Sequence, residues 1–267
     1  MIDSGKELLR QLPWVLRARD FHLYLEGGKR LLDLWLSGGR ALLGHKPPRV
    51  LGELKNSSER GLFAPFPHPL ERRFFKALEC FFPNRIFRLY EDRFSLCRAL
   101  DEAGIKHSRL LDPAFPEQDT DANGIHLWRP FLEKLPSVFI PVLPWQLGPD
   151  VLVLKRGEEE FPPGDLIPPV LLAPAVRSLY ELAKIMKAQS ILKFGKIERA
   201  LVKSRWRRKG IYLTLKPDIE KAEYETLFKC FLEGGFLIPP SSSEPAIIPF
   251  EMSPGEEAKL AQLLSEK

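Results

Sequence analysis

Apolar residues recur along this chain at two spacings, and the changes from one to the other outline its elements. Leu70, Phe74, Leu78 and Phe81 fall three or four apart, on one face of a helix that Pro69 starts. The run "RIFRLY" then predicts a strand, and "FSLCRALDEAG" predicts a helix ended by Gly104. "SVFIPVL" and "VLVL" are uninterrupted apolar runs of the kind found in buried, often parallel, strands. A long helix is predicted from Pro169 to Lys187. A strand follows at "IYLTL", then a helix at "EKAEYETLFKCFLEGG" with Gly234 past its end, then strands at "FLI" and "AIIPF". "SPGEEAKLAQLL" reads as a capping box, with Ser253 at N-cap, Pro254 at N1 and Glu256 at N3. Toward the N-terminus, residues 4–12 predict a short helix started by Ser4. "FHLYLEGGKRLLDLWL" predicts two strands turned at Gly27-Gly28. "SGGRALLGHKPPRV" and residues 111–125 predict loops.

Helices alternating with short strands predict an α/β or α+β fold. The sharpest division falls near residue 188, where the long helix gives way to a basic stretch and a compact βαββα unit. The expected organisation is an N-terminal segment over 1–65, a larger domain over 66–188 and a C-terminal α+β domain over 189–267.

Composition narrows the function classes. Of 267 residues, 44% are hydrophobic and 28% charged, which is ordinary for a globular protein. Forty Lys and Arg against 35 Asp and Glu leave a net charge of +5, well short of a dedicated nucleic-acid binder, so no nucleic-acid partner is expected. The 25 prolines cluster in pairs that cut the chain into short elements. Cys80, Cys97 and Cys230 are odd in number and widely spaced, which reads as three reduced core thiols in a cytoplasmic protein. The N-terminus has no secretion-signal pattern and no apolar run approaches a membrane span.

Motifs for chemistry are sparse. The histidines at 22, 45, 68, 107 and 126 have no metal-ligand spacing, so no metal is expected. There is no GxSxG, Walker A or GxGxxG. "KFGKIERALVKSRWRRKG", residues 193–210, carries eight Lys or Arg and one Glu, with Trp206 among the arginines. It reads either as a surface for an anionic partner, Trp206 stacking on a base, or as a solvated linker helix. The acids at 158–160 are consecutive and read as solvated. Lys155 closes the run "DVLVLK". It is either a solvated strand-end residue or an amine placed to hold a carbonyl cofactor.

Several segments, taken in order, resemble the class III aminotransferases, pyridoxal-phosphate enzymes of fold type I. At the N-terminal end the resemblance rests on Gly28-Lys29, Asp33, Gly38-Gly39, Gly44-His45 and Pro48. At the C-terminal end it rests on "RRKGIYLTL", "FLEGGFLIPP" and "IIPFEMSPGEEAKLAQLL". Together the two ends cover roughly half the chain. The resemblance implies a truncated fold-type-I large domain, with a smaller α+β domain built from the N-terminal segment and the C-terminal third. It also implies a homodimer with its cofactor site where two subunits meet. Pro149-Asp150, Lys155 and Phe161-Pro162 stand in the order of the family's lysine segment. Lys155 is therefore the implied Schiff-base lysine for pyridoxal 5'-phosphate and an amino donor.

The chain departs from the family's pattern at several places: Pro149-Asp150 stands one residue nearer the lysine, Glu158 to Glu160 replace the family's glycines, and the Thr-bearing segment after the lysine is missing. "SVFIPVLPWQLG" holds no acid where the family places Asp-Glu, and "EDRFSLCRAL" stands where it places Ser-Gly-x-Glu. At the latter, Glu91 and Asp92 repel a phosphate, and Arg93 and Ser95 are the candidates to bind it. Three functions remain open at this point: a reduced aminotransferase acting through Lys155, a non-catalytic dimeric relative, and an anionic-partner binder using residues 193–210.

Overall fold

A computed structural model of the chain describes residues 4–105, 109–118, 124–133, 135–157, 161–188, 194–202, 204–216 and 219–265. The acids at 158–160, His107, Lys193 and Lys203 lie outside them. The chain forms two compact units, one from Met1–Lys46 with Gln189–Lys267, the other from Pro47–Ala188. The first break comes before the expected residue 65, and the second falls where the long helix ends.

The N-terminal part holds α1 (Ser4–Leu9), β1 (Val15–Arg19), β2 (His22–Leu25) and β3 (Arg30–Asp33). β2 and β3 pair antiparallel about the turn at Gly27 and Gly28, whose φ values of 80° and 79° suit glycine. β1, which the pattern did not predict, pairs with β2 and leaves Trp14, Val15 and Leu16 exposed.

The second unit follows the order α2 (Pro48–Glu59), α3 (Leu70–Glu79), β4 (Arg85–Tyr90), α4 (Arg93–Glu102), β5 (Leu110–Leu111), β6 (Ile125–Trp128), β7 (Phe139–Pro141), β8 (Asp150–Lys155) and α5 (Pro169–Ala188). α2 stands where a loop was expected. Pro48 occupies N1, where its missing N–H costs nothing, so the proline pair starts a helix rather than excluding one. Its strands form one sheet in the order β4-β8-β7-β6-β5. β5, β6 and β7 run parallel, but β8 is antiparallel to both of its neighbours. The expectation of burial at "VLVL" holds, since Val151 to Leu154 are fully buried, while the parallel pairing does not. On one face Tyr90, Leu152, Leu154, Ile140 and Leu127 pack with Leu96 and Leu100 of α4. An aromatic cluster also forms here, in which the Phe82 ring meets Trp128 at 4.8 Å and Phe139 at 5.0 Å. α5 packs along α2 and α3.

The C-terminal part completes the first unit with α6 (Gly195–Leu201), β9 (Trp206–Lys209), β10 (Tyr212–Leu215), α7 (Lys221–Glu233), β11 (Phe236–Leu237), β12 (Ala246–Ile247) and α8 (Pro254–Ser265). β11 joins β3 in parallel, which makes a four-stranded sheet from both ends of the chain; β9, β10 and β12 form a second sheet. The capping box forms as its residues imply. The Ser253 N–H and hydroxyl donate to Glu256 Oε2 at 2.9 and 2.8 Å, and the Glu256 N–H donates back to Ser253 Oγ at 3.3 Å. Cys80 is exposed, which corrects its reading as a core thiol; it follows the last helical turn, away from buried Phe74, Ala77 and Leu78.

Candidate functional site

The sequence pointed to β8 and the start of α4. Lys155 closes β8 opposite Arg85, and its side chain is exposed. Asp150, at the other end of β8, faces Tyr90, the last residue of β4 before the turn into α4. Arg93 and Ser95 therefore lie near Asp150, five residue steps along β8 from Lys155, or about 17 Å of strand. The structure groups Arg93 and Ser95 and leaves Lys155 apart from them.

At the start of α4 most of the polar side-chain groups are engaged, and Arg93 Nη1 is buried without a partner. Asp92 is the N-cap, and its Oδ1 accepts the Ser95 N–H at 2.8 Å. That bond, with further hydrogen bonds from Ser95, holds the Asp92 carboxyl below its usual value. Arg93 donates from Nε and Nη2 to Asp150 at 3.1 and 3.3 Å, a forked pair in which Asp150 is buried and Arg93 half-exposed. Next to this pair, burial pushes the Cys97 thiol up. Asp150 belongs to the Pro149-Asp150 pair of the resemblance, where nothing linked it to Arg93. No local spacing signals a partner 57 positions away.

These residues do not fit pyridoxal phosphate. A phosphate at the start of a helix needs free N–H groups. Here a carboxylate occupies that place and takes the Ser95 N–H, and the Arg93 guanidinium is turned onto Asp150 through Nε and Nη2, with Nη1 alone buried without a partner. A Schiff-base lysine must reach the aldehyde of the same cofactor, and Lys155 sits at the far end of the strand.

The other sequence candidates also find structural roles. Trp206 is 4% exposed and packs against the Phe231 ring at 5.6 Å, so it is not available to stack on a base. The described part of 193–210 is not one linker helix: it divides into α6 and β9, and Arg208 pairs with Glu198 at 2.6 Å while Arg205 pairs with Glu223. Asp33 and His45, both part of the N-terminal resemblance, meet at 2.9 Å. Buried Asp33 also accepts the N–H groups of Trp35 and Leu36 at 2.8 and 3.0 Å, which fastens a turn whose Leu36 and Ser37 have φ of 48° and 53°. Gly44 closes this turn at φ +83°, and a Cβ there would stand 2.9 Å from Asp20 O. Among the described residues no helix is long and apolar enough to cross a membrane.

Solved structures of class III aminotransferases share this architecture along nearly the whole chain. An omega-transaminase from Sphaerobacter thermophilus matches 98% of this chain and 95% of its own, with a TM-score of 0.66 at 11% identity. An acetylornithine aminotransferase from Elizabethkingia anophelis matches 99% and 98%, with a TM-score of 0.62 at 12% identity. The fold is aminotransferase-like. Similarity in sequence runs elsewhere: an uncharacterised protein of Borreliella burgdorferi is 28% identical over 93% of this chain and 89% of its own. A second uncharacterised protein, from Treponema pallidum, is 25% identical over 91% of both. A glutamate-1-semialdehyde 2,1-aminomutase from Thermus thermophilus is 34% identical over 71 residues, 27% of this chain and 17% of that enzyme. No protein-family model matches the chain.

Proposed function

We propose that this chain is a non-catalytic relative of the aminotransferases, acting as a homodimeric binding or assembly module. The observation that carries this reading is the separation along β8, with Lys155 at one end and the Arg93–Asp150 pair at the other. A lysine that cannot reach a cofactor held near α4 cannot form its Schiff base or shuttle a substrate proton there. The Asp92 cap adds electrostatic cost to any phosphate at that helix start. What the chain keeps is the scaffold: the four-stranded sheet joining both ends of the sequence, the fastened turn at Asp33 and His45, and the packed sheet of the second unit. Such a scaffold hosts binding as readily as catalysis.

Absorption spectroscopy with added pyridoxal phosphate, followed by dialysis, tests the loss of chemistry. Wild type and Lys155→Ala are expected to be equally colourless after dialysis. A retained aldimine band present only in wild type would restore the enzyme reading. Sedimentation equilibrium tests the assembly, with a mass of two chains expected; a monomer at working concentrations would remove the dimer from the proposal.

A further inference from the structure

β4 is an edge strand, with β8 on one side and residues 163–166 against part of the other. Asp165 fixes that segment in place. Its N–H donates to Leu89 O at 2.7 Å, and its Oδ2 accepts the Glu91 N–H at 3.0 Å. Gly164 lies so near the strand that a Cβ would stand 2.4 Å from Leu89 O, so only glycine allows the approach. Between this segment and α3 lies a cleft of about 370 Å³, whose walls include Glu71, Phe75, Phe87, Arg88, Asp165 and Leu166. That volume falls in the range of small-molecule sites, about 300–1,000 Å³.

The lining is specific in chemistry. Phe75 and Phe87 stack, with centroids 5.9 Å apart and planes 22° from parallel. Two carboxylate residues, Glu71 and Asp165, and one arginine, Arg88, line the cleft, and Arg88 donates to Phe87 O at 3.4 Å. The Glu71 carboxylate takes no hydrogen bond or ion pair from the described residues. The balance is negative, and the faces of aromatic rings also attract cations. An added peptide strand is disfavoured, because Asp165 already uses Leu89 O and the Glu91 N–H on the outer edge of β4.

We propose that this cleft binds a small organic ammonium ion with an aryl body, the ammonium paired with Glu71 and Asp165 and the body against Phe75 and Phe87. The site is independent of the reading above, since Lys155 does not line it.

Calorimetric titration of the full chain, without pyridoxal phosphate, tests it with 2-phenylethylammonium beside 3-phenylpropionate. The two probes share a body and differ in charge. The cation is expected to saturate at one per chain, with the anion at least about tenfold weaker. Glu71→Gln is expected to weaken the cation about tenfold, and Phe75→Leu to weaken both ions; the second variant carries the test if the first is misfolded by circular dichroism. Equal binding of the two ions, no saturable binding of the cation, or Glu71→Gln titrating like wild type overturns the proposal. Lys155→Ala is expected to bind as wild type does, and a loss there would also overturn it by moving the site to Lys155. An aldimine at Lys155 would sink the non-catalytic reading and leave this cleft untouched, so the two failures are distinct.

Discussion

The start of α8 in the first unit and the start of α4 in the second use the same device with opposite reach. Each has an oxygen at the N-cap accepting the N–H three residues on. At α8 the exchange is reciprocal, and Glu256 Oε1 also meets His22 Nε2 at 2.8 Å and Arg30 Nη2 at 3.3 Å, tying the helix to β2 and β3. At α4 the Asp92 cap goes unreciprocated, and Arg93 turns across to Asp150. The capping box itself is written into four consecutive residues, while the contacts with His22 and Arg30 reach 234 and 226 positions away. At α4 the cap bond is equally local, and Arg93 reaches 57 positions to Asp150 through Nε and Nη2. A shared local rule therefore fastens a helix start in each unit while the remote partner differs, a histidine and an arginine in one and a buried aspartate in the other.

Four substitutions, read by urea denaturation, test that contrast. Asp150→Ala is expected to cost most, about 2–3 kcal/mol, because it leaves the Arg93 guanidinium without its buried partner. A cost below that of Glu256→Ala would reverse the contrast. Glu256→Ala is expected to cost about 1–2 kcal/mol through the lost capping box and the lost contact with His22. Burial raises the Glu256 carboxyl, but hydrogen bonds from His22 and Ser253 outweigh it and bring the value down from 4.5 to about 2. A depressed carboxyl stabilises fully above its unfolded value and loses that contribution as the pH falls through its folded one. The gap between wild type and Glu256→Ala should accordingly narrow from pH 4.5 toward pH 2. Asp92→Ala is expected to cost less than Glu256→Ala, through the lost N-cap bond to the Ser95 N–H. Lys155→Ala, exposed at the strand end, is expected to stay within about 0.5 kcal/mol of wild type.

Periodicity and caps made much of the fold legible. The helical spacing of Leu70, Phe74 and Leu78 and the Ser253–Glu256 box report contacts set by near neighbours, although the helix ends at Glu79 and leaves Phe81 beyond it; the apolar run of β8 reports its burial. Elements whose partners are remote escaped. β1 pairs through its main chain while exposing Val15 and Leu16, and β9 reads as charge because Arg207, Arg208 and Lys209 follow the buried Trp206. At the candidate site the residue types were legible and their meeting was not. Arg93 and Ser95 were read from the turn after "RIFRLY", but which end of β8 they approach depends on its antiparallel register with β4, which the apolar run does not encode.

The separation of Lys155 from the start of α4 is open to one decisive chemical measurement. The full chain would be saturated with pyridoxal phosphate, reduced with borohydride, digested and mapped by mass spectrometry. Pyridoxyl groups are expected to scatter at low occupancy over exposed lysines, with Lys155 no different from the rest. A stoichiometric pyridoxyl group on Lys155, discharged by an amino donor added before reduction, would contradict that separation and show that the lysine reaches a bound cofactor.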